Sequence, residues 1–122
     1  MSVIEEVKTT PAFKRLISKI TKETLWLYVI DVLKEKPLYA YAVRVAIRQK
    51  YGFKVATVTV YTVLYRMRRE GLLETFEEGG TTYYKPSEKG LKAYETALNF
   101  LETLVKVFKG EEKSEKLKPY WT

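Results

Sequence analysis

Hydroxyl, phenol and guanidinium groups are concentrated in residues 57–71, which read TVTVYTVLYRMRREG. These groups form hydrogen bonds or carry positive charge, so they suit contact with a polyanion. The stretch shows no nucleophile and base of the kind that catalysis uses. It therefore predicts a binding surface for a negatively charged partner. The candidate contact residues are Thr57, Thr59, Tyr61, Thr62, Tyr65, Arg66 and Arg69.

Two local signals in this stretch disagree about its secondary structure. Its first half is rich in β-branched residues, whose propensity favours a strand. However, Val60, Leu64 and Met67 follow one another at steps of four and three, which is the spacing of one helical face. The arginines crowd the end at which a helix macrodipole is negative. We therefore predict a helix with a buried apolar face and an exposed polar face.

The composition supports an acidic partner. The chain has 122 residues, enough for one domain, and its 22 lysines and arginines exceed its 15 aspartates and glutamates. The resulting net charge of +7 points to nucleic acid or an anionic membrane surface.

Several classes of protein are made improbable by what the composition lacks. Cysteine and histidine are both absent, so disulfides, the usual zinc ligands and the commonest general base are missing. We therefore expect that the protein is not an enzyme and binds neither a metal nor a cofactor. No apolar run reaches the roughly 18 to 20 residues of a membrane span, and the start lacks a secretory signal. We expect a cytoplasmic protein that does not contact a membrane.

Three segments precede the central stretch. Residues 1–11 read as an extended lead, and the helix that Pro11 opens carries an apolar stripe for docking on the domain or a partner subunit. A membrane surface is the alternative for this short basic helix. Residues 24–36 predict a core helix that includes Trp26, and a short turn at residues 37–41 leads into a helix that Gly52 stops. This last helix carries Arg44, Arg48 and Lys50.

The segments that follow predict a hairpin and a long helix. Residues 72–78 and 81–85 read as strands around a Gly79-Gly80 tip, which makes a wing. Ser87 or a neighbour caps the last helix, whose apolar residues repeat at steps of three and four as a heptad seam. A helix this short needs a partner in water. The tail, residues 110–122, is charged and expected to be mobile, although Tyr120 and Trp121 could dock.

The predicted fold class is mainly α with a small two-stranded β-wing: a winged helix-turn-helix domain followed by a C-terminal dimerisation helix. We divide the chain into an N-terminal extension (1–23), the DNA-binding domain (24–86), the dimerisation helix (87–109) and the charged tail (110–122). The predicted dimer contacts are Leu91, Tyr94, Leu98, Leu101, Val105 and Phe108 on the last helix, with Phe13, Leu16 and Ile20 near the N-terminus.

Three motifs in this order, PLYAY, VTVYTVLYRMRREGLL and EEGGTTYYKPSEKG, resemble the PadR family of winged helix-turn-helix transcriptional regulators. The resemblance implies a homodimer, usually a repressor, that binds double-stranded operator DNA, with residues from about 57 to 70 as recognition helix. It also implies a possible small-molecule effector between the subunits. The C-terminal helix would pack against the partner's N-terminal helix region.

The chain departs from the family pattern at two places. Ala40 stands where a glycine is common, and the wing carries Glu77 and Glu78 with only Lys85 nearby. This charge distribution does not favour insertion of the wing into the minor groove. The alternative function is a winged-helix module that contacts protein or RNA without site-specific DNA binding.

Different roles follow for the candidate residues. Thr57, Thr59 and Thr62 would read bases or phosphates, although Thr57 could instead be only the N-cap. Tyr61 would pack its ring against the domain and place its hydroxyl near a phosphate. For Tyr65 the pattern favours packing in the domain and contact with DNA equally. The basic residues would hold the DNA backbone: Arg44, Arg48, Lys50, Lys85, Arg66 and Arg69. For Arg66 and Arg69 the alternative is that they only interact with solvent at the end of the helix. Trp26 is predicted to be a core residue rather than part of an effector pocket.

Overall fold

The computed structural model describes residues 2–122. In chain order the elements are α1 (Val3–Val7), α2 (Pro11–Thr21), α3 (Leu25–Leu33), β1 (Leu38–Tyr39), α4 (Ala40–Tyr51), α5 (Thr57–Arg69), β2 (Leu73–Glu78), β3 (Thr81–Pro86), α6 (Glu88–Phe108) and α7 (Lys118–Trp121). Two short 3₁₀ turns, Lys22–Thr24 and Ser114–Leu117, precede α3 and α7. Over this part of the chain, no helix is long and apolar enough to cross a membrane.

The helices begin and end at residues that the sequence marks. Thr10 caps α2 by accepting a hydrogen bond from the Phe13 amide at 3.3 Å, and Pro11 occupies the first turn. Gly52 ends α4 at a φ of 84°, in the left-handed region that favours glycine. Ser87 caps α6, because its hydroxyl oxygen accepts from the Gly90 amide at 2.9 Å. The predicted boundary at residue 36 is wrong, since α3 ends at Leu33.

Three antiparallel strands form the sheet, in the order β1-β3-β2. The predicted two-stranded wing is its β2–β3 hairpin, with Gly79 and Gly80 at the tip. The turn predicted at residues 37–41 is wrong in part, because Leu38 and Tyr39 pair with Tyr84 and Tyr83. This pairing covers the open edge of β3, which would otherwise expose unpaired backbone groups.

The core lies between α3, α4 and α5. Val60, Leu64 and Met67 are buried there, as their helical spacing predicts. They pack in the same cluster as Ile30 of α3 and Val43 of α4, both fully buried. Burial of this one face turns the opposite face of α5 toward solvent.

Both ends of the chain are more ordered than the sequence suggests. The predicted extended lead contains α1, and the Ser2 hydroxyl oxygen caps it by accepting from the Glu5 amide at 3.3 Å. The predicted mobile tail forms α7 and buries Leu117. The rings of Tyr120 and Trp121 dock on Phe100, with centroids 5.2 and 5.8 Å from the Phe100 ring. Aromatic packing therefore folds the tail back along α6.

One buried carboxylate joins three helices. Asp31 of α3 is only 4% exposed. It accepts hydrogen bonds from Lys34 at 2.8 Å, Lys50 at 2.6 Å and Tyr94 at 3.1 Å, and a fourth from Tyr51. Because Lys50 and Tyr51 belong to α4 and its end, and Tyr94 belongs to α6, this network fixes both helices against α3.

The network also sets the ionisation of its members. Burial alone raises the pKa of the Asp31 carboxyl, but the four hydrogen bonds outweigh burial and hold that pKa well below its ordinary value. Burial and then the bond to Asp31 raise the pKa of Tyr51 above that of a free phenol. Near neutral pH the network therefore holds an aspartate anion and protonated phenols.

Asp31→Asn keeps the side-chain shape but removes the charge that four donors share. We expect the free energy of unfolding at neutral pH to fall by about 2–4 kcal/mol, measured by urea denaturation. Glu35→Gln, an exposed carboxylate two residues past α3, is the matched control and should change stability by less than about 0.5 kcal/mol.

The effect of Asp31→Asn on the free energy of unfolding should depend on pH. A depressed folded-state pKa adds stability above the unfolded-state value of about 3.9, and that stability is lost as the pH falls toward the folded-state value. The gap between the native protein and Asp31→Asn should therefore narrow between about pH 5 and about pH 2. A gap that stays constant over that range would contradict the ionised network.

Candidate nucleic-acid interface

The face of α5 opposite its core residues is open to solvent. Of the seven predicted contact residues on this helix, Thr59 is half-buried beside a cleft. The other six are exposed: Thr57, Tyr61, Thr62, Tyr65, Arg66 and Arg69. The fold thus brings hydroxyl and guanidinium groups together on one helical surface.

The first turn of α5 has no side-chain cap. Ala56 is the N-cap residue and Thr57 is the first helical residue, so the alternative interpretation of Thr57 as the cap is wrong. The amides of the first turn therefore lack intrahelical partners, and the macrodipole places partial positive charge there. An anion such as a phosphate is favoured at this end of the helix.

The aromatic and basic groups of α5 stand out from the core. Tyr61 is 52% exposed, so the predicted packing of its ring is not found. The Arg69 guanidinium lies 5.7 Å from the centre of the Tyr65 ring, a cation–π distance. Over residues 2–122 none of the ion pairs uses an arginine. The guanidinium charges of this helix are therefore available to an external anion.

The basic residues of α4 have separate positions. The Nε of Arg44 donates to the Val55 carbonyl at 2.7 Å and so holds the turn that precedes α5. Arg48 is exposed one helical turn further on. Lys50, predicted to contact the DNA backbone, instead points its ammonium at Asp31. Of the three, Arg44 contributes to positioning, and Arg48 has the most freedom to reach a phosphate.

The wing adds little positive charge. Glu77 and Glu78 lie beside its tip, and Lys85 stands directly opposite Glu74 in the strand register. Its outer face instead carries aromatic rings, where Phe76 and Tyr83 stack with centroids 5.5 Å apart. This distribution of charge does not favour insertion of the wing into a groove of DNA, as the sequence also indicates.

Comparison with known proteins now identifies the family. Residues 29–96, more than half of the chain, match the PadR-like family of transcriptional regulators. The chain belongs to this family. The matched segment runs from the core helix α3 through α4, α5 and the wing into the first half of α6. A search of curated proteins gives no match.

Solved structures share the winged-helix fold. A transcriptional regulator from Clostridium thermocellum is 24% identical over 79% of this chain and 97% of its own, with a TM-score of 0.68. A PadR-family regulator from Eggerthella lenta is 23% identical over 83% and 96%, at 0.62. A winged-helix DNA-binding protein from STIV is 16% identical over 70% and 94%, at 0.60.

In this PadR-family protein a tight corner ties α6 to the end of α5. The Ser87 hydroxyl donates to the Gly71 carbonyl at 2.5 Å, and the Lys89 ammonium donates to the Glu70 carbonyl at 2.9 Å. A Cβ on Gly90 would stand 2.1 Å from the Leu72 carbonyl oxygen, so this close approach requires glycine. The direction of α6 is therefore coupled to that of α5.

The predicted dimer residues divide between open and internal positions. Leu91, Leu98, Val105 and Phe108 are 40%, 43%, 48% and 79% exposed along one side of α6. Leu101 is half-buried, and Tyr94 is engaged with Asp31 in its own chain. On α2, Leu16 is 55% exposed, whereas Phe13 and Ile20 are half-buried.

Two residues have surroundings that were not predicted from the sequence. Asp31 lies within an apolar pattern, and an aspartate there gives no local sign of partners that are distant in sequence. Val58 is 76% exposed on α5, although it was assigned no role. Helical spacing carried a usable signal for Val58, because position 58 falls on the side opposite Val60 and Leu64.

Arg44→Lys tests the positioning role of Arg44. Lysine keeps the charge but lacks the Nε donor, so we expect unfolding to become about 1–2 kcal/mol easier while the salt dependence of DNA binding stays the same. Arg48→Lys is the matched control and should change stability by less than about 0.5 kcal/mol. Equal stability of the two variants in urea denaturation would rule out the positioning role.

Proposed function

We propose that this PadR-family protein is a homodimer that binds a palindromic operator in double-stranded DNA and acts as a repressor. The observation that carries the proposal is the open face of α5. It combines an uncapped N-terminus, exposed hydroxyls and arginines that make no ion pair within the described residues 2–122. In helix-turn-helix proteins this surface enters the major groove, with its N-terminal residues nearest the base edges.

The dimer proposal rests on α6. This helix has 21 residues, and Gly90 is the only one of them that is buried. Its open side carries Leu98, Val105 and Phe108, an apolar row that a second copy of the same row would cover. The docked tail occupies a neighbouring side at Phe100, which leaves this row as the free apolar surface.

The α2 helix offers a second apolar surface to a partner subunit. Leu16 and Ile17 are 55% and 46% exposed there, and α2 packs within its chain mainly on the turn that follows it. Each subunit would place α2 against the partner's α6. Such a reciprocal contact suits the two-fold symmetry that a palindromic operator requires.

The coupling of α6 to α5 supports repression by a rigid dimer. Because the corner at Ser87 and Lys89 fixes the two helices, pairing of α6 would set the distance between the two α5 helices. Half-sites about 34–36 Å apart, one turn of DNA, are the geometry that such dimers read. A dimer seated in this way covers the DNA that a polymerase would need.

A cavity provides a candidate position for an effector. It measures about 730 Å³ and lies between α3, α5 and α6. Trp26, which packs against the core as predicted, and Met67 contribute apolar wall. The charged groups of the wall are two cations and two carboxylates: Lys22, Arg66, Glu23 and Glu70. A ligand there would touch α5 directly, so its binding could change the position of the DNA-contact surface.

One observation favours the alternative function, a module that contacts protein. The outer face of the wing presents Tyr39, Phe76 and Tyr83 in register across three strands, with Glu74 beside them. The rings of Tyr39 and Phe76 are exposed and that of Tyr83 is half-buried. Aromatic faces attract cationic side chains, so they suit a basic protein surface better than DNA. Selection of DNA sequences separates the two functions.

Selection from a random pool of DNA duplexes tests the proposed function. We expect a palindromic motif whose half-sites lie about one helical turn apart. Binding to the selected duplex should weaken about a thousandfold or more between 50 and 200 mM salt, because the dimer would neutralise roughly six to ten phosphates. Recovery of unselected sequence with a weak salt response would favour the protein-contact alternative.

The double variant Leu98→Glu and Leu101→Glu tests the dimer. One carboxylate on the apolar row at position 98 and one at the half-buried position 101 beside it should leave a folded monomer at micromolar concentration in sedimentation, because charged groups lose hydration when buried. Asn99→Glu adds one carboxylate at an exposed position about 100° around α6 from Leu98, outside the apolar row, and should leave the dimer intact. A double variant that still sediments as a dimer, or a native protein that sediments as a monomer, would refute this interface.

A further inference from the structure

The outermost side of α5 is formed by four residues at helical spacing. Val58, Thr62, Tyr65 and Arg69 follow steps of four, three and four, on the side opposite the buried residues. Val58, in the first turn, is 76% exposed, although valine is a residue that folding usually buries. The packing of this chain gives no reason for an apolar side chain at that position.

The neighbour of Val58 on this side also presents an apolar group. The Thr62 hydroxyl donates its hydrogen to the Val58 carbonyl within the helix, at 2.9 Å. Its donor is therefore in use, and the methyl group and the oxygen lone pairs remain for an outside partner. Ala56 and Thr57, both exposed, add further methyl groups at the same end. The tip of α5 is thus rich in methyl groups.

The major groove has one apolar feature that matches such a tip. Thymine alone among the four bases carries a C5 methyl group there, and aliphatic side chains contact it. We propose that Val58 is a specificity-determining residue that packs against a thymine methyl group in each operator half-site. This inference rests on the proposed function, in which α5 lies in the major groove.

Other uses of Val58 make different predictions. Val58 also lies at the rim of the cavity between α3, α5 and α6, yet most of its surface remains open. A contact with a partner subunit would make dimerisation depend on Val58. A contact with thymine makes operator affinity depend on one methyl group of the DNA, and leaves dimerisation unchanged.

The experiment uses the full chain and the operator selected from random DNA. Each symmetric pair of thymines is replaced by deoxyuridine, which removes only the C5 methyl groups, and the dissociation constant is measured for the native protein and for Val58→Ala. Val3→Ala is the matched control, because Val3 is a 72% exposed valine on α1, far along the chain from α5.

We expect one symmetric pair of thymines at which deoxyuridine weakens native binding about fifteenfold, since each of the two buried methyl groups contributes about fourfold. Val58→Ala should raise the dissociation constant for the thymine operator by a similar factor. At that one pair, replacement by deoxyuridine should have no further effect on the variant, whereas at every other pair the variant should respond as the native protein does. Val3→Ala should behave as the native protein.

The outcomes separate the inference from the function on which it rests. If a palindromic operator is selected but Val58→Ala keeps the native sensitivity at every thymine pair, the inference about Val58 is overturned while the proposed function stands. Loss of dimerisation in Val58→Ala would also overturn it, in favour of a subunit contact. If no operator is selected, both the proposed function and the inference fall.

Discussion

The buried carboxylate of Asp31 is the interaction on which the rest of the structure depends. A charge this far from water is tolerated because two ammonium groups and two phenols surround it. These donors come from three helices, so the charge that they neutralise also fixes the helices to one another. The ammonium of Lys50 and the hydroxyl of Tyr94, whose types suit a phosphate contact and a subunit contact, are instead bonded to Asp31 within the chain. The proposed DNA-contact surface is therefore left to α5 and Arg48, with Arg44 holding the turn that precedes α5.

A second constraint connects the two surfaces of this PadR-family protein. The corner formed by Gly71, Ser87 and Gly90 brings α6 against the end of α5 through backbone carbonyls, without long flexible side chains except Lys89. The proposed dimerisation through α6 and the proposed DNA contact through α5 would thus share one rigid joint. In the proposed function, the way the two α6 helices pair sets the distance between the two recognition helices, because this joint fixes α5 to α6. The cavity beside α5 lies close to the same joint.

Features that depend on neighbours in sequence were predicted well. The helical face of Val60, Leu64 and Met67 overrode the strand propensity of the same stretch, because tertiary burial outweighs intrinsic preference. Gly52, Ser87 and the glycine tip of the wing act through local backbone geometry, so their positions were also foreseen. Partners distant in sequence were missed: Asp31 draws on residues up to 63 positions away, and β1 forms only because β3 offers an open edge. The charge of the tail predicted mobility; docking of Tyr120 and Trp121 was allowed for and is found, whereas the burial of Leu117 was missed. Exposure of Val58 follows from the same helical face, because position 58 lies on the side opposite Val60 and Leu64.

The central claim, that two α5 helices lie in successive major grooves, is open to one direct measurement. The chain contains no cysteine, so Arg68→Cys, at an exposed position in the last turn of α5, accepts a DNA-cleaving iron chelate at a single place. On the selected operator, we expect two clusters of strand cleavage, symmetric about the palindrome and about 10 base pairs apart. A single cluster, or cleavage spread evenly along the duplex, would contradict the proposed placement of the recognition helices.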